Sequence, residues 1–255
     1  MPIHTDLLAI CNRSPQETWT GQGSLPRYSE DSTMSPLGRI RLRPCTLIDV
    51  HTHSQNPGAI SPQPTESLFF SLSLHPWNLT TENLDSGLKW LVDNLNDSRV
   101  IALGEAGIDR LCTTPIELQT QAFRLVAQLA EQYKMPLIIH CVRAHNEIIA
   151  LHKKLRPAQP WIIHGFRGKP QLALSLIKQG ICLSFGERFN TETLKAMPPD
   201  RILLETDQSR LHIADIYNKV AALTGIALEL LANNVISNFS RIFNVDPTKT
   251  ITFAP

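Results

Sequence analysis

From Thr46 onward the chain alternates between two kinds of hydrophobic pattern. One is a short, nearly unbroken apolar run: "TLIDV", "LFFSLSL", "RVIALG", "PLIIH", "WIIH", "ICLSFG" and "RILLET". Such runs suit strands buried on both faces. The other pattern is amphipathic, and "TPIELQTQAFRLVAQLAEQYK" is its clearest case. There Leu118, Ala122, Leu125, Val126, Leu129 and Tyr133 fall on one helical stripe. Thr114 and Glu117 read as a capping box, with Pro115 at the first helical position.

Strands alternating with helices predict βα units and a parallel sheet. Seven strands are clear, and an eighth is expected around Ala59–Ile60, where the chain is too short for a full unit. The expected fold class is therefore α/β, a TIM-type (β/α) barrel with seven full βα units and a reduced second unit. Neither G-x-G-x-x-G nor G-x-x-x-x-G-K-[ST] occurs, so a Rossmann or P-loop domain has no support. Residues 1–44 show no sustained apolar period and are rich in Ser, Pro, Gly and charge. They are expected to be an irregular or disordered extension, with "GRIRLRP" as a candidate edge strand, and the barrel to occupy 45–255.

Composition narrows the function classes. A formal net charge of +1 over 255 residues excludes a basic nucleic-acid-coating protein and an acidic disordered one. The longest apolar stretches, such as "PLIIHCV", fall short of the ~20 residues that span a bilayer. The start, "MPIHTDLLAICNRS", has no secretory pattern. Five scattered cysteines with no C-x-x-C fit a reducing cytoplasm, and Cys141 reads as a packing residue.

The chemistry lies at the strand ends. His51 and His53 follow "LID", His75 follows "SLSL", Glu105 follows "IALG", His140 "PLII", His164 "WII" and Asp207 "RILLET". In a (β/α) barrel these ends converge on one face. His51 and His53, two apart on a strand, would share an inward face with Asp49 below them. Imidazoles and carboxylates are ligands for Zn²⁺, Mn²⁺ or a similar ion, and the set exceeds the needs of one tetrahedral ion, which points to two metals. Asp207 also reads as an N-cap for "LHIADIYNKV", and Glu105 as half of a buried ion pair. Arg110, Arg143, Arg167, Arg188 and Arg210 each follow a strand end, and two or three are expected to face the site, favouring an anionic substrate. Trp77 and Phe166, beside the ligand motifs, are the candidates for stacking.

The motifs "IDVHTH", "SLHPW", "GEAGID", "IIHCVRA", "IHGFRG" and "LLETDQS" resemble, in order and spacing, those of the TatD family of metal-dependent hydrolases. The resemblance runs from Leu47 nearly to the C-terminus, where "ISNFSRIFNV" is similar to the family's closing helix. It implies that His51, His53, Glu105 and Asp207 bind one divalent ion, with Glu105 bridging to a second held by His140 and His164. The implied cofactors are two divalent metal ions, Mg²⁺, Mn²⁺ or Zn²⁺. The implied activity is phosphodiester hydrolysis, as a deoxyribonuclease on single-stranded DNA, with a metal-activated water as nucleophile. Asp207, Glu105, His75 and Arg143 would be the catalytic residues. The chain departs from the family in three places. "SQNPG" replaces the usual Leu-Asp after His-Thr-His, "ETDQS" lacks a proline after the Asp, and residues before Thr46 are an addition that an upstream start codon, with Met34 as the true one, would explain.

Two other functions fit the same sequence. One is a metal-dependent hydrolase of a small amide, ester or phosphoester, since such barrels change substrate through their loops. The other is a non-catalytic metal-binding scaffold. No membrane association and no obligate protein partner is expected.

Overall fold

The computed structural model describes residues 47–53, 60–61 and 69–247. The extension at 1–44 and its candidate edge strand lie outside the described residues, as do Ala59 and the "SQNPG" departure. Seven parallel strands follow one another in sequence order in a single sheet. They are β1 (Ile60–Ser61), β2 (Phe69–Leu72), β3 (Val100–Asp109), β4 (Leu137–Val142), β5 (Trp161–Ile163), β6 (Cys182–Phe185) and β7 (Ile202–Leu204). The helices are α1 (Leu84–Asn94), α2 (Ile116–Gln132), α3 (His145–Leu155), α4 (Pro170–Lys178), α5 (Thr191–Ala196), α6 (Ile213–Thr224) and α7 (Leu228–Phe243).

The segment 47–53 closes the sheet into a ring. On one side Val50 N donates to Leu204 O at 3.0 Å, Asp207 N to His51 O at 2.9 Å and His53 N to Asp207 O at 3.0 Å. On the other, Ile60 N donates to Asp49 O at 3.1 Å and Thr52 N to Ile60 O at 2.9 Å. This is the TIM-type barrel that the pattern predicts, with the reduced second position filled by the two residues of β1. Its strands are apolar because both faces are covered: Leu72, Leu103, Leu137, Ile139, Leu183, Phe185 and Leu204 are all fully buried. A side chain of this size buried in full contributes roughly 1.5–3 kcal/mol.

The helix after β3 differs from expectation. Pro115 is the N-cap of α2 and makes no side-chain cap bond, so there is no Thr114–Glu117 capping box. The buried stripe is also turned: Gln119, Ala122, Phe123, Val126, Ala127, Leu129 and Ala130 face inward, while Leu118, Leu125 and Tyr133 are only part-buried. Gln119 belongs to this turned face. Its amide accepts from Asp109 N at 2.7 Å and donates to Thr114 O at 2.7 Å and Asp109 O at 3.0 Å, tying the end of β3 to the helix start. Satisfied in this way, a polar side chain is accommodated in the core.

Two glycines bring β3 and β4 unusually close. A Cβ on Gly107 would lie 1.9 Å from His140 O, and one on Gly104 2.1 Å from Ile138 O. Gly104 also has φ +107°, which L side chains rarely adopt. The pairing runs Leu103 to Leu137 and then Ala106 to Ile139, so β3 carries one extra residue at Gly104–Glu105. Such a bulge re-aims a side chain next to a site. Ser73 Oγ donates to the carbonyl of Glu105 at 2.6 Å and holds the bulge in place.

Candidate metal centre

The bulge delivers the Glu105 carboxylate, 2% exposed, to the middle of the strand ends, and its two oxygens face different groups. Oε2 lies 3.3 Å from His51 Nε2 and 3.4 Å from His53 Nε2. Asp207 Oδ1 stands beside the same pair, 3.5 Å from His53 Nε2 and 3.9 Å from His51 Nε2. Oε1 contacts His164 Nε2 at 2.7 Å, His75 Nε2 at 3.2 Å and His140 Nδ1 at 2.5 Å. Six strand ends distant in sequence thus converge, as the apolar runs ending in polar residues lead one to expect. Asp207, at φ +52°, does not cap a helix: α6 starts from a reciprocal His212–Asp215 capping box.

The donor set fits a divalent cation. Among the described residues, four trios of side chains offer ligand atoms within 4.8 Å of one another: His51, His53 and Asp207; His51, Glu105 and His164; His75, Glu105 and His140; and His164, Glu205 and Asp207. His51 is fully buried: among the described residues its Nδ1 has no hydrogen-bond partner, and its Nε2 faces the Glu105 and Asp207 carboxylates at 3.3 and 3.9 Å. A buried imidazole left unpaired costs free energy unless another partner takes its lone pair. Electrostatics agree. Burial pushes the Glu105 carboxyl up, but the imidazoles of His164, His140 and His51 outweigh it and hold it well below the usual carboxylate range. Burial pushes the His164 imidazole down, and Glu105 and Glu205 outweigh that, raising it well above normal. The carboxylates draw positive charge into the centre, which is what a cation supplies.

Two further carboxylates orient the imidazoles, and the motif reading passed over both. Asp109 Oδ2 lies 3.1 Å from His140 Nε2, on the far side of the ring from Glu105. Asp109 is itself held by the Leu111 amide at 2.8 Å and by the Trp77 indole N–H at 2.7 Å. Glu205, fully buried, lies 3.4 Å from His164 Nδ1 and accepts from the Ser184 hydroxyl. Carboxylates placed behind ligating imidazoles fix tautomer and ring orientation. Each has a sequence signal: Asp109 is four residues after Glu105 on the same strand, and Glu205 two before Asp207. Asp109→Ala is expected to weaken divalent-metal affinity by roughly 10–100-fold, read by competition with a chelating dye. Unchanged affinity would mean that Asp109 only packs.

His75 differs from the other imidazoles. Its Nδ1 accepts from Trp77 N at 3.2 Å, so in the neutral ring the proton sits on Nε2 and points at Glu105. Asp49 is no ligand: it accepts from Thr206 N at 3.0 Å and Thr206 Oγ1 at 2.6 Å, and burial pushes its carboxyl up to about 7. Cys141 stays outside the centre, its thiol pushed up to about 12 by burial.

Two cavities flank the centre. One, about 410 Å³, opens onto Asp207 and is lined by Arg167, Arg188 and Arg210. The other, about 750 Å³, opens onto His53, His75 and Glu105 and contains Trp77 and Trp90. Three of the five candidate arginines therefore border the site. Arg110 instead pairs with Glu147, and Arg143, exposed at φ +54° after β4, lines neither cavity. Of the stacking candidates Phe166 is core, 2% exposed, whereas Trp77 is 56% exposed.

Residues 45–244 match the family model described as TatD related DNase. The chain is 25% identical over 201 residues to the uncharacterised metal-dependent hydrolase YabD of Bacillus subtilis (strain 168), covering 70% of this chain and 78% of that protein. It is 31% identical over 168 residues to the 3'-5' ssDNA/RNA exonuclease TatD of Cronobacter sakazakii, 59% of this chain and 61% of that protein. Its fold is similar to the crystal structure of YJJV, a TatD homologue from Escherichia coli K12. The TM-score is 0.66 at 21% identity, covering 79% of this chain and 99% of that one. The chain belongs to the TatD related DNase family and is a metal-dependent hydrolase.

Proposed function

We propose that the protein is a phosphodiesterase that cleaves single-stranded nucleic acid with two divalent ions. The observation that carries this reading is the cavity lined by Arg167, Arg188 and Arg210, which opens directly onto Asp207 beside the divided ligand set. Guanidinium groups suit phosphate oxygens, and their clustering here supplies locally the positive charge that a net +1 chain lacks overall. The exonuclease activity in the name of the Cronobacter relative points the same way.

In this reading His51, His53, Asp207 and Glu105 would hold one ion, and Glu105, His140 and His164 the other. Such ions acidify a water and offset negative charge on a phosphoryl oxygen. Asp207, its side chain 26% exposed, takes up the proton of the attacking water. The His75 Nε2–H, which faces Glu105 here, would donate toward the phosphoryl oxygen once Glu105 takes an ion, and Arg143, outside both cavities, would add positive charge from the end of β4. Replacing His75 or Arg143 is expected to lower turnover and leave metal content unchanged. The free thiols of Cys112, Cys141 and Cys182 suit a reducing compartment such as the cytoplasm.

The test is hydrolysis of an end-labelled single-stranded oligonucleotide by metal-stripped protein reloaded with Mg²⁺, Mn²⁺ or Zn²⁺, with Asp207→Asn alongside. Metal-dependent cleavage that the variant lacks is the expected result. Two ions bound per chain with no cleavage would overturn the nuclease reading and favour a small ester or amide.

A further inference from the structure

The second cavity shares His53, His75 and Glu105 with the chemistry above, but its aromatic wall has no part in it. Its most unusual feature is Trp77, which is 56% exposed yet firmly held. The residue lies in the turn Pro76–Asn78; its backbone N–H is bonded to His75 and its indole N–H to Asp109 at 2.7 Å. The two imidazoles against it, His75 and His140, stand at 86° and 80° to the indole, so neither stacks on it. Trp90, 40% exposed, lines the same cavity, and Leu74 and Leu79 add apolar wall. An indole pinned at its polar edge, exposed to water and beside a hydrolytic centre is a stacking platform whose ordering cost is already met by the fold.

We infer that this cavity is a nucleobase subsite in which the base adjoining the scissile phosphate stacks on Trp77. The inference rests on the phosphodiesterase reading and adds direction to it. The two cavities lie on either side of Glu105 and Asp207 and differ in character: one is guanidinium-lined and suits backbone phosphates, the other is aromatic and suits a base. A phosphodiester at the centre has its nucleoside on the Trp77 side and its continuing strand on the arginine side. The base must leave its neighbours to reach the indole, so a free single strand is preferred to a paired end.

The test compares kcat/KM for a short oligothymidylate with that for strands carrying an abasic residue at the 3′ or the 5′ end. Wild-type protein, Trp77→Phe and Trp77→Ala are assayed with metal bound. At the end that is attacked, wild type is expected to favour the base by about 5- to 150-fold, the range that one base–aromatic stack is worth. Trp77→Phe should keep most of this preference, and Trp77→Ala should bring it near one. A loss of metal geometry through Asp109 would slow intact and abasic strands alike and leave the ratio unchanged, so the ratio separates stacking from damage. Equal wild-type rates on intact and abasic strands would overturn the subsite and leave the nuclease standing. Failure to cut any strand would overturn the nuclease reading itself.

Discussion

Glu105→Gln is expected to remove bound metal and to lower hydrolysis by about 10³-fold or more, equivalent to about 4 kcal/mol of transition-state stabilisation. The substitution keeps the size of the side chain, so the buried site is not emptied. It removes the negative charge that five imidazoles converge on, and it puts N–H donors where an acceptor is needed. Because the two carboxylate oxygens face separate ligand groups, both groups should lose occupancy together. Metal content by elemental analysis and single-turnover cleavage provide the check. A variant that retains its full metal complement would show that the groups hold their ions independently of Glu105.

Gly107→Ala should be among the most damaging small substitutions in the barrel. Its methyl carbon would sit 1.9 Å from the carbonyl oxygen of His140, a backbone atom that cannot swing away. Relief requires β3 and β4 to separate, which breaks their register and moves both Glu105 and His140. A loss of roughly 3 kcal/mol is expected, at the upper end of ordinary overpacking. For a domain of this size that is a fall of about 6–12 °C in Tm. Thermal unfolding of the metal-free protein measures it without a contribution from ion binding. An unchanged Tm would mean that the strands are not held as closely as described.

Much of this architecture was legible in the chain because burial on both faces leaves apolar runs, and polar residues that end such runs stand out. That is why His51, His140, His164 and Asp207 could be named from sequence. Asp109 and Glu205 carry a weaker mark: each lies close in sequence to a named carboxylate, but that spacing does not say which imidazole it supports. The inward face of α2 was misread for a related reason: Gln119 looks like a solvent-facing residue, and only the three bonds it makes to Asp109 and Thr114 show why it is buried. The arginines illustrate a geometric limit. All five follow strand ends, but loop conformation decides which of them turn inward, and at Arg110 a partner on α3, Glu147, decides otherwise.

The closure of the ring by 47–53 also has a consequence for biosynthesis. Asp49 and Thr206, 157 residues apart, bind each other directly, and His51 meets Asp207 across the same seam. Contacts of such sequence separation form late, because the intervening loop must first be ordered. His51 and His53 therefore meet Glu105 early but wait for the intervening barrel to be translated before Asp207 emerges. A truncated or stalled chain ending between residues 164 and 207 carries His51, His53, His75, Glu105, His140 and His164 but cannot complete the seam. The ligand set that spans this seam is thus complete only once residue 207 has been made.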